Sequence, residues 1–388
     1  MPREPLLTRP FVLAFVAQLF HSLSYNLYLH LPGFLKELGA GELEIGVLFG
    51  VTAATAILAR PLLGRIMDRR GRRPVILGGG VLAVISCALY LTVTDLGPWT
   101  YVVRILQGLA EAMLFASLFA LAADILPPAR RIEGIGLFGV AGMLPIALGG
   151  LIGDALLAGG DYRPMFAISA ALAGAALLSS LPLREPAVAA DREPARGFGA
   201  ALGERDLLPL WFIGLIFAVA IAAPFAFLKT FVLATGEGTV GGFFALYAGV
   251  AVALRVGLGG LPERVGPKRV LFPAFGLLAA GLGLLAVGGA REVLIAGVLC
   301  GAGHGYGFPI LLGLVVSRSR PSERGAALSI FTALFDGGML VGGPLLGALI
   351  RTVGYEAMFA SAAAILAVGT SAFALWDRSA ATAEVVVR

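Results

Sequence analysis

Four side chains able to exchange a proton or hold a charged ligand stand deep inside long apolar runs: His21, Glu111, His304 and Asp336. An ionised group is costly away from water, so such a residue must face protein or a wet cavity and marks an ion or substrate path by default. For either histidine alone, packing explains as much as function; four together are hard to assign to packing. Arg104, Gln107, Gly108 and Glu111 recur at i, i+3, i+4 and i+7 and so share one helix face, which predicts an Arg104–Glu111 coupling pair, with a purely structural pair as the alternative. Gln18, His21 and Tyr25 likewise share a face and form a polar wall. Asp336 has no cation in its own run, and His304 on the preceding run is the candidate partner. Arg60, Arg255, Lys229 and Asp154 lie toward the ends of their runs and read as snorkelling or interfacial groups.

No nucleophile–base or metal-ligand constellation accompanies these residues, so neither an enzyme nor a cofactor or metal site is expected. Cys87 and Cys300 sit inside apolar runs, which argues against a disulfide framework. Gly301-Ala-Gly303-His304-Gly305-Tyr306-Gly307 is glycine-rich, but it follows no strand and lies within a run, so it is not a phosphate loop.

The elements that must position these groups follow from composition. Of 388 residues, 58% are hydrophobic and 14% charged, against about 25% charged in soluble domains. The apolar residues fall in runs near the roughly 20 residues that an α-helix needs to cross a bilayer core, and in lipid such runs must be helical. Twelve are expected, at about 11–31, 43–63, 75–94, 99–122, 134–157, 164–183, 207–232, 240–260, 270–288, 292–316, 325–350 and 355–376. The first is too long for a signal-peptide core and is expected to be retained. The polar segment 185–206 divides the chain into two six-helix halves, 1–184 and 207–388.

Outside the runs, 21 Lys and Arg residues fall on one side and four on the other. The positive-inside rule then puts both termini in the cytoplasm, as expected of a multi-pass protein of a cell inner membrane. The net charge of +5 is spread over short loops, not gathered into a stripe, so nucleic acid is not an expected partner.

One half copies the other. Arg60, Gly64, Asp68, Arg69, Gly71 and Arg73 recur 195 positions later as Arg255, Gly259, Glu263, Arg264, Gly266 and Arg269, with Lys268 in strict register for Arg73. Parallel repeats of this kind place a binding site between the halves near the midplane. The stretch Gly64-Arg-Ile-Met-Asp68-Arg69-Arg-Gly71-Arg72-Arg73 resembles the signature loop of the major facilitator superfamily, G-x-x-x-D-R-x-G-R-R, where glycines allow a tight turn between helices. Arg104-Ile-Leu-Gln107-Gly108 resembles the R-x-x-Q-G element of its proton-coupled members. Gly139-Val-Ala-Gly142-Met-Leu-Pro145-Ile-Ala-Leu-Gly149-Gly150 is similar to the antiporter motif of the fifth helix, but departs from it at Leu144 and in the spacing of its glycine pair.

The resemblance implies an all-α membrane protein, twelve transmembrane helices in two pseudo-symmetric six-helix bundles, with helices one, four, seven and ten lining a central cavity. It implies a gate formed by Gly64, Asp68, Arg69, Gly71, Arg72 and Arg73, in which Asp68 locks the cytoplasmic side. Arg104, Glu111 and Asp336 are the expected proton-coupling residues, and Gln18, His21, Tyr25, Gln107, His304 and Tyr306 the expected substrate contacts. The expected function is proton-coupled export of a small organic compound by alternating access, as a monomer whose partners are substrate, protons and the lipid bilayer. Proton-driven uptake or facilitated diffusion of a nutrient is the alternative. A non-transporting receptor is disfavoured by the short loops.

Overall fold

The computed structural model describes residues 5–127, 131–185, 202–320 and 323–377, except for the side chains of 68 and 131–133. Among the described residues the chain is built of helices and turns without strands. The membrane-length helices are α1 (Arg9–Asn26), α2 (Glu42–Arg70), α3 (Arg73–Leu89), α4 (Pro98–Ile125), α5 (Arg131–Leu156), α6 (Arg163–Ser180), α7 (Leu208–Thr235), α8 (Val240–Leu258), α9 (Pro267–Val287) and α10 (Ala290–Arg318). The last continuous helix, Arg324–Trp376, has left-handed backbone at Gly354 (φ 85°) and is long enough to cross twice. It therefore comprises α11 (324–353) and α12 (355–376), giving the twelve spans expected, and with an even number of spans the start of α1 and the end of α12 lie on one face, here the terminal face.

Local sequence sets the helix ends. Thr8 caps α1, its Oγ1 accepting from the Phe11 N–H at 3.4 Å, and Thr239 caps α8, accepting from Gly242 N–H at 2.9 Å. The Glu44 carboxylate reaches back to the Gly41 N–H at the start of α2 (2.9 Å). Proline opens α4 and stands second in α1, α3, α6 and α7, positions whose N–H groups lack helical partners anyway. The first span is longer than expected and broken, α1 passing through a 3₁₀ turn (Leu27–His30) into a short helix (Leu31–Glu37).

Helices α1, α3, α4 and α6 pack around one another, with α2 on α4 and α5 on α1; α7–α12 pack in the corresponding way. The two sets meet along α2 against α11 and along α5 against α8. Small residues make these seams close. A Cβ on Gly46 would fall on the Gly343 carbonyl, and one on Gly150 would lie 3.1 Å from the Gly241 Cα. Nearer the terminal face the seams part: Gly64 on α2 and Gly142, Gly139 and Gly136 on α5 would meet nothing within 4 Å. The cleft between the sets opens to the terminal face and is shut at the other.

The glycine run of α10 is a packing surface. Gly297, Gly301 and Gly305 bring it against the backbone of α8 at Phe243, Tyr247 and Ala251, and Gly303 faces Ala274 and Leu278 of α9.

Candidate substrate and coupling site

Glu111 on α4 and Asp336 on α11 both open partly to the cleft, with side chains 24% and 22% exposed. The Glu111 carboxylate meets His21 of α1, Oε2 to Nε2, at 2.8 Å, and His21 is buried. The expected Arg104–Glu111 pair is not what forms. Seven residues of helix separate the two Cα atoms by roughly 10 Å, and nearer partners intercept the guanidinium. Arg104 donates through Nη1 to Gln107 Oε1 (2.6 Å) and through Nε to the Leu48 carbonyl of α2 (3.0 Å). Gln107 Oε1 also accepts from the Tyr90 hydroxyl (2.8 Å), so Arg104 and Gln107 brace α2, α3 and α4.

Asp336 takes its cation from the other half of the molecule. Arg60 of α2 forms a short ion pair with it and donates to Thr332 Oγ1 (2.6 Å) and more weakly to the Ser329 carbonyl. Arg60 is thus an interhelical link, and the snorkelling reading fails because a carboxylate within reach on α11 outbids the interface. Arg255 fails it too, donating from Nε to the Gly305 carbonyl of α10 (3.2 Å). Tyr25 lies within electrostatic range of Glu111, Arg104 and Asp336.

His304 does not join Asp336. Its Nδ1 forms a short hydrogen bond with the Tyr247 hydroxyl, and its ring packs edge-on against Phe217, Tyr247 and Phe308 with centroids 5.5, 5.6 and 6.1 Å away. Tyr306 points along α8, its hydroxyl donating to the Leu258 carbonyl (3.0 Å). Gln18 is buried and donates to Ser22 Oγ within its own helix (2.8 Å), so the polar wall of α1 at the cleft reduces to His21 and Tyr25.

The gate motif is mostly helical. Residues 64–70 continue α2, and the turn is made by Gly71, whose φ of 86° favours glycine. Gly64 is a helix residue, not a turn residue. The Arg72 and Arg73 N–H groups each donate to a carboxylate oxygen of Glu185 at 2.9 Å. The Arg72 guanidinium pairs with Asp124 at the end of α4 (2.8 Å), and Arg73 donates to the Leu183 and Leu181 carbonyls. Each of these bonds stays within α1–α6 and the segment after α6, as expected where the cleft is open. The Asp68 side chain lies outside the described residues, and Arg69 is exposed.

Sequence reasoning missed the closed end. Tyr355, at the start of α12 just past the end of α11, donates to Glu42 Oε1 of α2 (2.5 Å), and Lys36 pairs with the same carboxylate (2.6 Å). Asp154 on α5 accepts from the Gly241 N–H of α8 (2.6 Å) and lies 3.8 Å from the buried His30, whose Nε2 contacts the Gly150 carbonyl (3.1 Å). Lys229 of α7 sits within electrostatic range of Asp154, Glu37 and His30. Asp154 and Lys229 were expected at an interface with solvent; instead they help join the two halves. His30 and Asp154 lie at the ends of apolar runs, but no spacing rule connects residues from α1, α5, α7 and α8.

Two bundles meeting along paired seams, with ionisable pairs in a cleft between them, is an arrangement that sequence comparison can test. The family model of the Major Facilitator Superfamily matches residues 11–289 and 235–386. The chain belongs to the Major Facilitator Superfamily. Among similar family proteins are the MFS-type transporter YhhS of Salmonella enteritidis, 25% identical over 357 residues covering 87% of this chain and 84% of the relative, and the staphylopine export protein of Staphylococcus aureus, 25% identical over 364 residues covering 86% and 87%. In solved structures the same fold occurs in a mutant of the nucleoside transporter NupG, with a TM-score of 0.76 at 14% identity over 95% of this chain and 99% of that one. This superfamily chain is accordingly a multi-pass membrane transporter of a small molecule.

Proposed function

We propose that the protein exports a small organic compound in exchange for protons, by alternating access, from a cell inner membrane with both termini in the cytoplasm. The observation that carries this reading is the pair of carboxylates on opposite walls of one cleft, Glu111 held by His21 and Asp336 held by Arg60. Each can exchange its protein partner for a proton or for a ligand group, and the Asp336 partner comes from the other of the two halves that must move. Export is the direction named for the staphylococcal relative. Cytoplasmic termini follow from the charge bias of the loops. In this reading the units 1–184 and 207–388, joined by 185–206, rock as a monomer about the seams.

Glu111, Asp336 and the Arg104 brace then carry coupling, with His21, Tyr25 and Gln107 nearest the substrate. His304 and Tyr306 shape the wall of α10, Gln18 supports α1, and Gly64, Asp68, Arg69, Gly71, Arg72 and Arg73 gate the terminal face. The reading is tested in proteoliposomes holding a pH indicator. An imposed proton gradient should drive accumulation of a transported compound, and the compound's own gradient should move protons the opposite way. Compound flux that leaves the internal pH unchanged would reduce the function to facilitated diffusion, the reading favoured by Leu144 in place of the glycine of the antiporter motif.

A further inference from the structure

We propose that the α1–α6 bundle binds the headgroup of an anionic phospholipid in a groove at its terminal-face end. The groove, about 1030 Å³, lies between the starts of α1 and α3 and the ends of α4 and α6, with Arg9, Leu13, Arg73, Ile125, Leu181 and Arg184 on its walls. Three guanidinium groups over apolar walls at the end of membrane spans match a phosphate carried on acyl chains. Arg9 and Arg184 are exposed, and among the described residues neither has an ion pair or hydrogen-bond partner. Arg73 is anchored by the Leu183 and Leu181 carbonyls through Nε and Nη2, which fixes its position and leaves its charge and Nη1 available. The acid at the rim, Glu185, has both carboxylate oxygens engaged by the Arg72 and Arg73 N–H groups, with the Arg72 guanidinium at 3.9 Å. The positive end of the α1 dipole adds to the same field.

The other half shows what the same place looks like when filled from within. There Arg318 grips the buried Asp377 carboxylate with two bonds of 3.1 and 2.8 Å, and Lys268, the repeat counterpart of Arg73, joins it at 3.1 Å. The turn before α7 lies across that end, with Asp206 O accepting from Arg318 (3.1 Å) and Leu202 O from Trp211 (3.2 Å). No described carboxylate does for Arg9 and Arg184 what Asp377 does for Arg318 and Lys268. A phosphodiester supplies that charge in the bidentate geometry that arginine prefers. Leu178 and Leu181, 67% and 49% exposed, continue the apolar wall onto the lipid-facing side for the acyl chains. A phosphatidylcholine headgroup brings its own cation into a field of three arginines, so the groove selects phosphatidylglycerol over it.

The test is thermal unfolding of the purified full chain in detergent with added phosphatidylglycerol, phosphatidylcholine or sn-glycerol 3-phosphate, for the wild type and for Arg9→Gln/Arg184→Gln. Phosphatidylglycerol should raise the wild-type Tm by about 3–6 °C, the size expected of a ligand held well above its Kd. The other two additives should shift it by less than about a third of that, and the double variant should lose most of the lipid shift. Equal shifts from both lipids, a shift reproduced by glycerol phosphate, or an undiminished lipid shift in the double variant each overturn the proposal. If the double variant does not fold, native mass spectrometry of the wild type decides, since equal retention of the two lipids from an equimolar mixture is incompatible with the site.

Discussion

Glu111 leans on His21 rather than on Arg104, and that changes which substitution separates coupling from folding. Removing the Arg104 side chain would take from Gln107 Oε1 one of its two donors and cut the bond to the Leu48 carbonyl that ties α4 to α2, so Arg104→Ala should mainly lower the yield of folded protein. Glu111→Gln keeps size and hydrogen-bonding capacity and removes only the exchangeable charge. It is expected to abolish proton-driven accumulation while changing substrate affinity by less than about threefold, measured by proteoliposome flux beside equilibrium binding. Accumulation at the wild-type level would leave Glu111 a packing residue. Asp336 and Arg60 make a second test across the halves. Asp336→Asn or Arg60→Gln alone should lower transport by about tenfold or more, and the reversal Arg60→Asp/Asp336→Arg should recover part of it, the signature of a direct pair. Glu111, His21 and Asp336 were legible because an ionisable group in an apolar run is conspicuous. Their partners were not, because helix periodicity relates residues within one helix, whereas His21 and Glu111 meet across two and Arg60 and Asp336 are 276 residues apart in sequence. For His304, Phe308 follows four residues on in α10, but the rings of Phe217 and Tyr247 come from α7 and α8, and only the fold brings those to it.

The elements were read more accurately than the contacts between them. All twelve spans were visible as apolar runs, since a membrane imposes length and backbone satisfaction on each segment separately. The misread parts are those where the chain departs from a plain span: the 3₁₀ turn after α1, and α2 continuing helically through Gly64 to Arg70 so that Gly71 alone turns. Which helices would meet was legible only from the resemblance, but the seams carry a local signature in glycines with no room for a side chain. Gly46 on α2 and Gly343 on α11 each lie against the other's carbonyl. Gly46→Leu should therefore wedge the closed end apart without touching any charged group. Transport should fall by about tenfold or more, and a cysteine placed at Thr94, on an exposed loop of the closed end, should become more than marginally faster to alkylate only if the wedge spreads into that loop. The sharper readout is the separation of spin labels at Thr94 and Arg291, exposed positions of the two halves at this end. It should give one short population in the wild type and a longer one in the Gly46→Leu background. An unchanged separation would mean that the seam absorbs a leucine and that its glycines are not what brings α2 and α11 together.

At the scale of the whole molecule, the chain is caught with one end shut, and what shuts it is a small number of polar contacts laid over two glycine seams. Tyr355 to Glu42 ties the turn between α11 and α12 to the start of α2, and Gly241 to Asp154, backed by His30 and Lys229, closes α5 on α8. The two sets occupy pseudo-equivalent seams, so they open together or not at all if the halves move as rigid bodies. A hydrogen bond to a charged group is worth about 1.5–3 kcal/mol, and about 1.4 kcal/mol is a tenfold change in a conformational equilibrium. Both carboxylates are partly exposed, which moves each bond toward the lower figure. Asp154→Ala with Tyr355→Phe should then shift the balance toward the state open at this end by about 100-fold. Spin labels at Thr94, on an exposed loop, and Arg291, exposed in the first turn of α10, report it directly by their separation. The wild type should give one short distance population and the double variant a longer one, with each single variant showing a mixture. Unchanged distances in the double variant would mean that the glycine seams alone hold the end shut. A longer population already dominant in Tyr355→Phe would mean that the α2–α11 seam governs both, and that the Asp154 contact follows it.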